Sequence, residues 1–247
     1  MFDNFFKFEI TGELISSLIV ILIIIVLSLI VGILAARQNP LKKPKGLLLV
    51  AECGVKFFDG FSRDLVGTTL PNFGGFIMGV ALYLFISFIF GLTGLPSPVT
   101  YMAIPLSLGL TTFLLIHYTS ARFTKWAYFK RYIDPIPIFL PINLISMWAP
   151  LLSLTLRLFG NAIAGWALLT IVESALRDLS ATIFSFAPNG LNEVFLAPIP
   201  LAILHAYFDI FSGFIQTFVF ILLTSIFIGQ EIPEDIDLND LGRRKKA

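Results

Sequence analysis

Long apolar runs and short polar breaks alternate along this chain, and the runs set its architecture. Residues 14–36 carry no charge. At 1.5 Å per residue they are long enough to cross the ~30 Å hydrocarbon layer of a bilayer as a first helix. Residues 47–66 follow another rhythm. Glu52, Lys56, Asp59 and Arg63 recur at helical spacing among Leu, Val and Phe, which predicts an amphipathic helix on the membrane surface. Residues 76–120 predict a helical hairpin turned by Gly-Leu-Pro-Ser-Pro at 94–98. Residues 138–229 predict a second, longer hairpin. Its first arm, counted over 142–172, would be ~46 Å long as a helix, well above the ~30 Å layer. Such an arm must tilt steeply, bend or break, and Pro150 is the candidate kink. Arg177, Asp178, Pro188 and Asn189 mark the loop between the arms, and the second arm, 191–229, is over-long as well. The pattern predicts an all-α polytopic membrane protein. It has about five transmembrane segments plus the surface helix, with the last two helices long and steeply tilted. Residues 1–247 form one membrane domain that ends in a polar tail at 230–247.

Composition supports that class. The 247 residues are 57% hydrophobic and 13% charged, with a mean hydropathy of +0.89. No soluble domain hides that much apolar surface. The net charge of +1 gives no electrostatic reason to bind nucleic acid. One cysteine, Cys53, and two histidines, His117 and His205, predict neither a disulfide nor a metal site. His117 reads as an interfacial side chain. With no P-loop and no nucleophile elbow, the chain is expected to hydrolyse nothing by itself and to need no cofactor. The first 13 residues hold Asp3, Glu9 and Glu13 against Lys7, which is not the charge pattern of a cleaved signal. Basic residues gather at 37–45, 122–131 and the C-terminal end, with Lys56 and Arg63 on the same side of a five-span arrangement. The positive-inside rule then puts the N-terminus outside and the C-terminal tail in the cytoplasm.

One charge breaks the pattern. Arg157 lies near the middle of the apolar run 141–172, where an arginine costs ~3 kcal/mol or more. It cannot shed its proton. It is therefore expected to face a partner carboxylate or a water-filled cavity; the plainer alternative is an arginine capping carbonyls between packed helices. At 100° per residue, Ser146, Ser153, Arg157, Gly160, Asn161 and Ala164 share one side of the helix. This stripe of small and polar groups suits the close approach of another helix. In the last arm His205, Asp209, Ser212 and Gln216 stand at i, i+4, i+7 and i+11, one face of one helix. Polar groups in line through apolar sequence can hold the water chain that an ion path needs, or can glue a bundle together by hydrogen bonds. Glu173, near the end of the Arg157 arm, either joins that path at the outer surface or is simply solvated.

Leu-Arg-Leu-Phe-Gly-Asn at 156–161, with Ala164-Gly165 after it, resembles the signature of subunit a of F-type rotary ATP synthases of the bacterial kind. The stretch from His205 to Asp209 and on through Gln216 to Thr224 resembles that family's last helix. Phe90-Gly-Leu-Thr-Gly-Leu-Pro96 is a weaker match. The resemblance implies a membrane stator subunit that carries ions, with the proton as the first expectation. It would offer two offset half-channels to the carboxylates of a rotating c-ring, kept apart by Arg157. The partners implied are the c-ring, the b subunits of the peripheral stalk and the lipid bilayer. The implied site is the plasma membrane or, alternatively, an organellar inner membrane. Residue by residue, Arg157 takes the place of the ring-facing arginine. Asn161, Asp209, Gln216, His205, Glu173 and Ser212 are the candidates for the ion path. The choice between H⁺ and Na⁺ is expected to lie mainly in the ring.

The chain departs from that family at four places. Trp166 stands where the family often has Glu or His, and Thr100-Tyr101-Met102 where it often has a carboxylate. Asp209 stands for a Glu or His, and Ala162 for a larger residue. A path that usually uses two ionisable groups would rest on Asp209, helped by His205 or Glu173. The rival reading is a secondary transporter with a substrate-binding arginine. Such folds usually repeat their halves, and no second copy of the 153–166 motif occurs.

Overall fold

The computed structural model of the chain describes residues 11–38, 44–124, 140–184 and 195–232. Described elements are helical throughout. Helix α1 (Gly12–Arg37) is followed by α2 (Leu47–Val66), α3 (Phe73–Ile89) and α4 (Ala103–Thr124). Helix α5 (Leu140–Ile183) follows. The last arm is α6 (Pro198–His205), a π-helical segment (Ala206–Ser212) and α7 (Gly213–Gln230), joined without a break in helical conformation. Among the described residues five helical segments are long and apolar enough to cross a membrane. The expected polytopic all-α class is what the chain forms, and Leu47–Val66 is helical as expected.

Helix α1 touches the bundle over one short stretch: only Ser16, Ser17 and Val20 are buried. Its foot is fixed by a hydrogen bond between the hydroxyls of Ser17 and Tyr83, 2.8 Å apart, and by Gly12, which lies against Pro96. Ile15, Leu18, Leu22, Leu29 and Ile33 remain exposed, as suits a helix bathed in lipid.

Helix α2 crosses the opposite end of the bundle. Its charged residues Lys56, Arg63 and Asp64 are exposed, while Ser62 and Val66 are buried. Two glycines permit the crossing. Gly74 of α3 lies against the backbone and side chain of Asp59, and Gly229 of α7 lies on the Leu65 carbonyl. Phe73, Ile77, Ala81, Leu84 and Phe88 of α3 then meet Leu154 and Leu158 of α5 and Phe220, Ile221 and Ile228 of α7 in one core.

Small hydroxyl residues line the seams between these helices. Thr112 and Thr119 of α4, Thr155 of α5, and Thr217, Thr224 and Ser225 of α7 are all buried. Thr112 and Thr224 bond to each other at 3.4 Å, the interhelical glue expected where packing rather than water exclusion drives association. Gly109 of α4 sits directly on the Thr155 hydroxyl. A leucine there must push α4 from α5, an overpacking cost of about 1–3 kcal/mol. Gly109→Leu is expected to lower the amount of intact membrane complex and its thermal inactivation temperature, as read from activity after graded heating.

The structure differs from the sequence-based expectation in two respects. The first long arm does not stop at Val172: α5 continues to Ile183, so Arg177 and Asp178 are helical rather than loop residues. Helix α5 has 44 residues with Pro150 inside it, a length of ~66 Å, about twice the hydrocarbon layer. The last arm is not a regular α-helix, because seven residues wind as π-helix. The basic cluster at 125–131, the loop residues Lys42 and Lys43, Lys7 and the tail from 233 lie outside the described residues, as do 138–139 of the longer hairpin.

Candidate functional site: an exposed arginine and a cavity holding a His–Asp pair

The site is built by α5 and by the π-helical segment of the last arm, backed by the turn that ends α3. On α5 the 3.6-residue period sorts side chains cleanly. Leu151, Leu154, Thr155 and Leu158 are buried, whereas Ser146, Ser153, Arg157 and Ala164 are exposed and Gly160 and Asn161 are half-buried. The small and polar stripe is therefore the outward face of the helix. Arg157 Nη2 donates to Ser153 Oγ at 3.3 Å, one turn away. Among the described residues no carboxylate pairs with the guanidinium. Gly160 meets nothing within 4 Å of where a Cβ would stand, so the face beside Arg157 is open. The alternative of an arginine capping carbonyls between packed helices does not describe a side chain on this outward face.

A cavity of about 560 Å³ lies beyond Arg157, toward the Gly12–Pro96 end of the bundle, lined among others by Gly91, Asn161, Trp166, Glu173, His205 and Asp209. The His205 Nδ1 and Asp209 Oδ2 atoms are 2.7 Å apart. In that pair the imidazole N–H donates and the carboxylate accepts. The two side chains differ in access: 38% of His205 is exposed against 16% of Asp209. Gly91 faces Asp209: a Cβ there would meet both carboxylate oxygens at 3.5 Å, an ordinary contact. Gly165 lies flat against Phe208 in the same way. At the far rim Arg177 donates to Glu173 at 2.6 Å.

The helical face expected of His205, Asp209, Ser212 and Gln216 divides in two. A π-helical stretch fits one extra residue into a turn and shifts the register of everything after it. His205 and Asp209 line the cavity. Ser212 instead accepts a hydrogen bond from Asn161 Nδ2 at 2.9 Å, which ties the last arm to α5 one turn from Arg157. Gln216, only 7% exposed, is buried in the bundle, and its Nε2 has no partner among the described residues. Three features escaped the sequence reading. The Arg177 partner of Glu173 was visible in the i,i+4 spacing. The meeting of Gly91 with Asp209 in one cavity and the π-helical winding had no local signal.

Apolar spans wrapped around a cavity, with a guanidinium facing out of the bundle beside it, define an α-helical polytopic membrane protein. The chain belongs to the ATP synthase A chain family, whose sequence model matches residues 15–229. It is 32% identical over 215 residues to the ATP synthase subunit a of Pediococcus pentosaceus, a match covering 82% of this chain and 86% of that protein. Similarity to the ATP synthase subunit a of Bacillus subtilis is 30% identity over 224 residues, 84% of this chain and 87% of the relative. The ATP synthase subunit a 2 of Syntrophotalea carbinolica is 32% identical over 209 residues, covering 83% and 80%.

Proposed function

We propose that this chain is the ion-conducting stator subunit of an F-type ATP synthase, with Arg157 turned toward the c-ring and the His205–Asp209 cavity serving as the outer half-channel. One observation carries the reading: an arginine in the middle of a long apolar helix lies on an exposed face with small residues beside it, and no carboxylate among the described residues neutralises it. A charge so placed is too costly to leave facing lipid. A carboxylate on a neighbouring subunit offsets that cost, and the stripe of Ser153, Gly160 and Ala164 lets a helix come close.

The physics of that contact gives the function. A ring carboxylate beside Arg157 is stabilised as the anion and releases its ion. Rotated away into lipid, it is stable only when neutral and loaded. The fixed positive charge also blocks cations from passing straight between half-channels. Ions reach the ring from the cavity by way of Glu173, His205 and Asp209, with the Asn161–Ser212 bond holding the two arms in register. Neither ion transfer nor torque arises in this chain without the ring, and ATP chemistry lies in other subunits. The b subunits of the peripheral stalk anchor it. The protein spans the plasma membrane with its N-terminus outside and its C-terminus in the cytoplasm, and its two long arms tilt steeply to fit the bilayer.

Cross-linking tests the contact. With Cys53→Ser as background, a cysteine replacing Ala164 on the stripe is expected to link to a ring subunit within the native complex. A cysteine replacing Leu22 on exposed α1 is not. Equal yields from the two positions, or copurification without any ring subunit, would sink the proposal.

A further inference from the structure

We infer that the last arm holds one residue more than a continuous α-helix between its two faces needs, and that the π-helical segment Ala206–Ser212 stores this surplus as a register device. The device sets the cavity face of His205 and Asp209 independently of the bundle face of α7. It stands on the packing of the arm alone, whatever passes through the cavity.

Two close contacts keep α7 from slipping along its axis. Gly213 lies against α3, where a Cβ would come within 2.6 Å of the Phe88 Cβ. Gly229, at the other end, lies on the Leu65 carbonyl of α2. Screwing α7 by one residue would bring Ser212 or Phe214 onto Phe88, and Ile228 or Gln230 onto Leu65. Each carries a side chain that these places exclude. Between the two clamps Gln216 and Thr217, Phe220 and Ile221, and Thr224 and Ser225 are buried as pairs one turn apart, the face of a regular α-helix.

The upstream part of the arm is held as well. Phe208 packs on Gly165 of α5, where a Cβ would lie 3.3 Å from its ring, and His205 and Asp209 line the cavity. In a regular α-helix Asp209 and Gln216 would stand only about 20° apart around the axis, and both could not meet their separate surroundings. One surplus residue turns the second half of the arm by about 100° against the first, which takes Gln216 away from the cavity and into the bundle. With both ends fixed, the surplus can wind only between them. The Asn161–Ser212 hydrogen bond closes the segment where α7 begins. No residue of Ala206–Ser212 is buried, and Ile210 and Phe211 are 42% and 57% exposed, so the wider turn lies where packing is loosest.

The test uses the whole complex in its membrane, with Cys53→Ser as background and Phe61→Cys with Phe218→Cys as a reporter of the register of α7. The two rings lie 6.3 Å apart between α2 and α7. Three changes are compared: deletion of Ile210, insertion of an alanine after Ile210, and deletion of Leu222 within α7. Deleting Ile210 removes the surplus and lets the arm wind as one α-helix with both faces in place. The complex should then form in its usual amount, and the reporter disulfide should form as it does in the chain of full length. The inserted alanine adds a second surplus residue with no wider turn to hold it. Deleting Leu222 turns one clamp of α7 against the other. Each of these two should lower the amount of intact complex roughly fivefold or more. Equal outcomes from deleting Ile210 and from the insertion, whether loss or tolerance, overturn the inference, because a regular helix does not distinguish them. It is also overturned if the chain lacking Ile210 assembles without the disulfide, or if deleting Leu222 is tolerated as well as deleting Ile210.

Discussion

Replacing Arg157 by alanine is expected to abolish both ATP synthesis and ATP-driven ion pumping while leaving the complex assembled. Assembly should survive because taking a charge out of the middle of a membrane helix removes an insertion cost of about 3 kcal/mol or more. The side chain also supports no packing within the chain: its face is exposed, and its hydrogen bond is to Ser153 at 3.3 Å. Function should fall at least about a hundredfold, the scale lost when one preorganised electrostatic partner is taken from a transfer step. Without the guanidinium nothing favours the ring carboxylate as an anion at the stator. Arg157→Lys separates charge from shape. Lysine keeps the positive charge but is a strongly hydrated point charge without the planar fork of donors. It is expected to assemble and to remain inactive in synthesis. Rates measured in vesicles carrying equal amounts of complex check both variants, and near-normal synthesis in Arg157→Lys would mean that charge alone suffices.

Asp209→Asn is the second large effect. The substitution keeps the shape and the hydrogen bond to His205 but removes the group that takes up and gives back a proton. Coupled transport should drop by roughly 10²-fold, within the range contributed by a positioned acid or base, with little change in the amount of complex. Gln216→Leu should be milder. Gln216 lies buried beyond the π-helical segment, outside the cavity lining, and its Nε2 makes no bond among the described residues. An apolar side chain of similar size therefore breaks nothing in this subunit. Loss of synthesis in Gln216→Leu as deep as in Asp209→Asn would show that the amide has a partner on another subunit.

Much of this was legible from the order of residues. The apolar runs announced the spans, and the period of Glu52, Lys56, Asp59 and Arg63 announced α2. Arg157 stood out because a charge at that depth has so few explanations. Its stripe of small and polar neighbours also followed from periodicity, although Leu152 and Leu156 share the exposed side. The cavity was harder to read. Gly91 and Asp209 are far apart in sequence, and nothing local tells that they line the same cavity. The split between Asp209 and Gln216 was hidden for a different reason. Counting at 100° per residue assumes an unbroken α-helix, and the π-helical winding of Ala206–Ser212 carries no residue signature by which to foresee it. Arg177 was misplaced because a charged residue after an apolar run looks like a loop, whereas α5 carries on to Ile183 with the Glu173–Arg177 pair on its surface.

The central claim is that one guanidinium separates two half-channels at the ring. Its most direct test is the decay of an imposed proton gradient in vesicles that contain the Arg157→Ala complex without nucleotide. The account predicts rapid decay through the complex, returned to the slow wild-type rate by a reagent that blocks the ring carboxylates. Vesicles that hold their gradient as long as wild type, or that leak equally with the ring blocked, would contradict it.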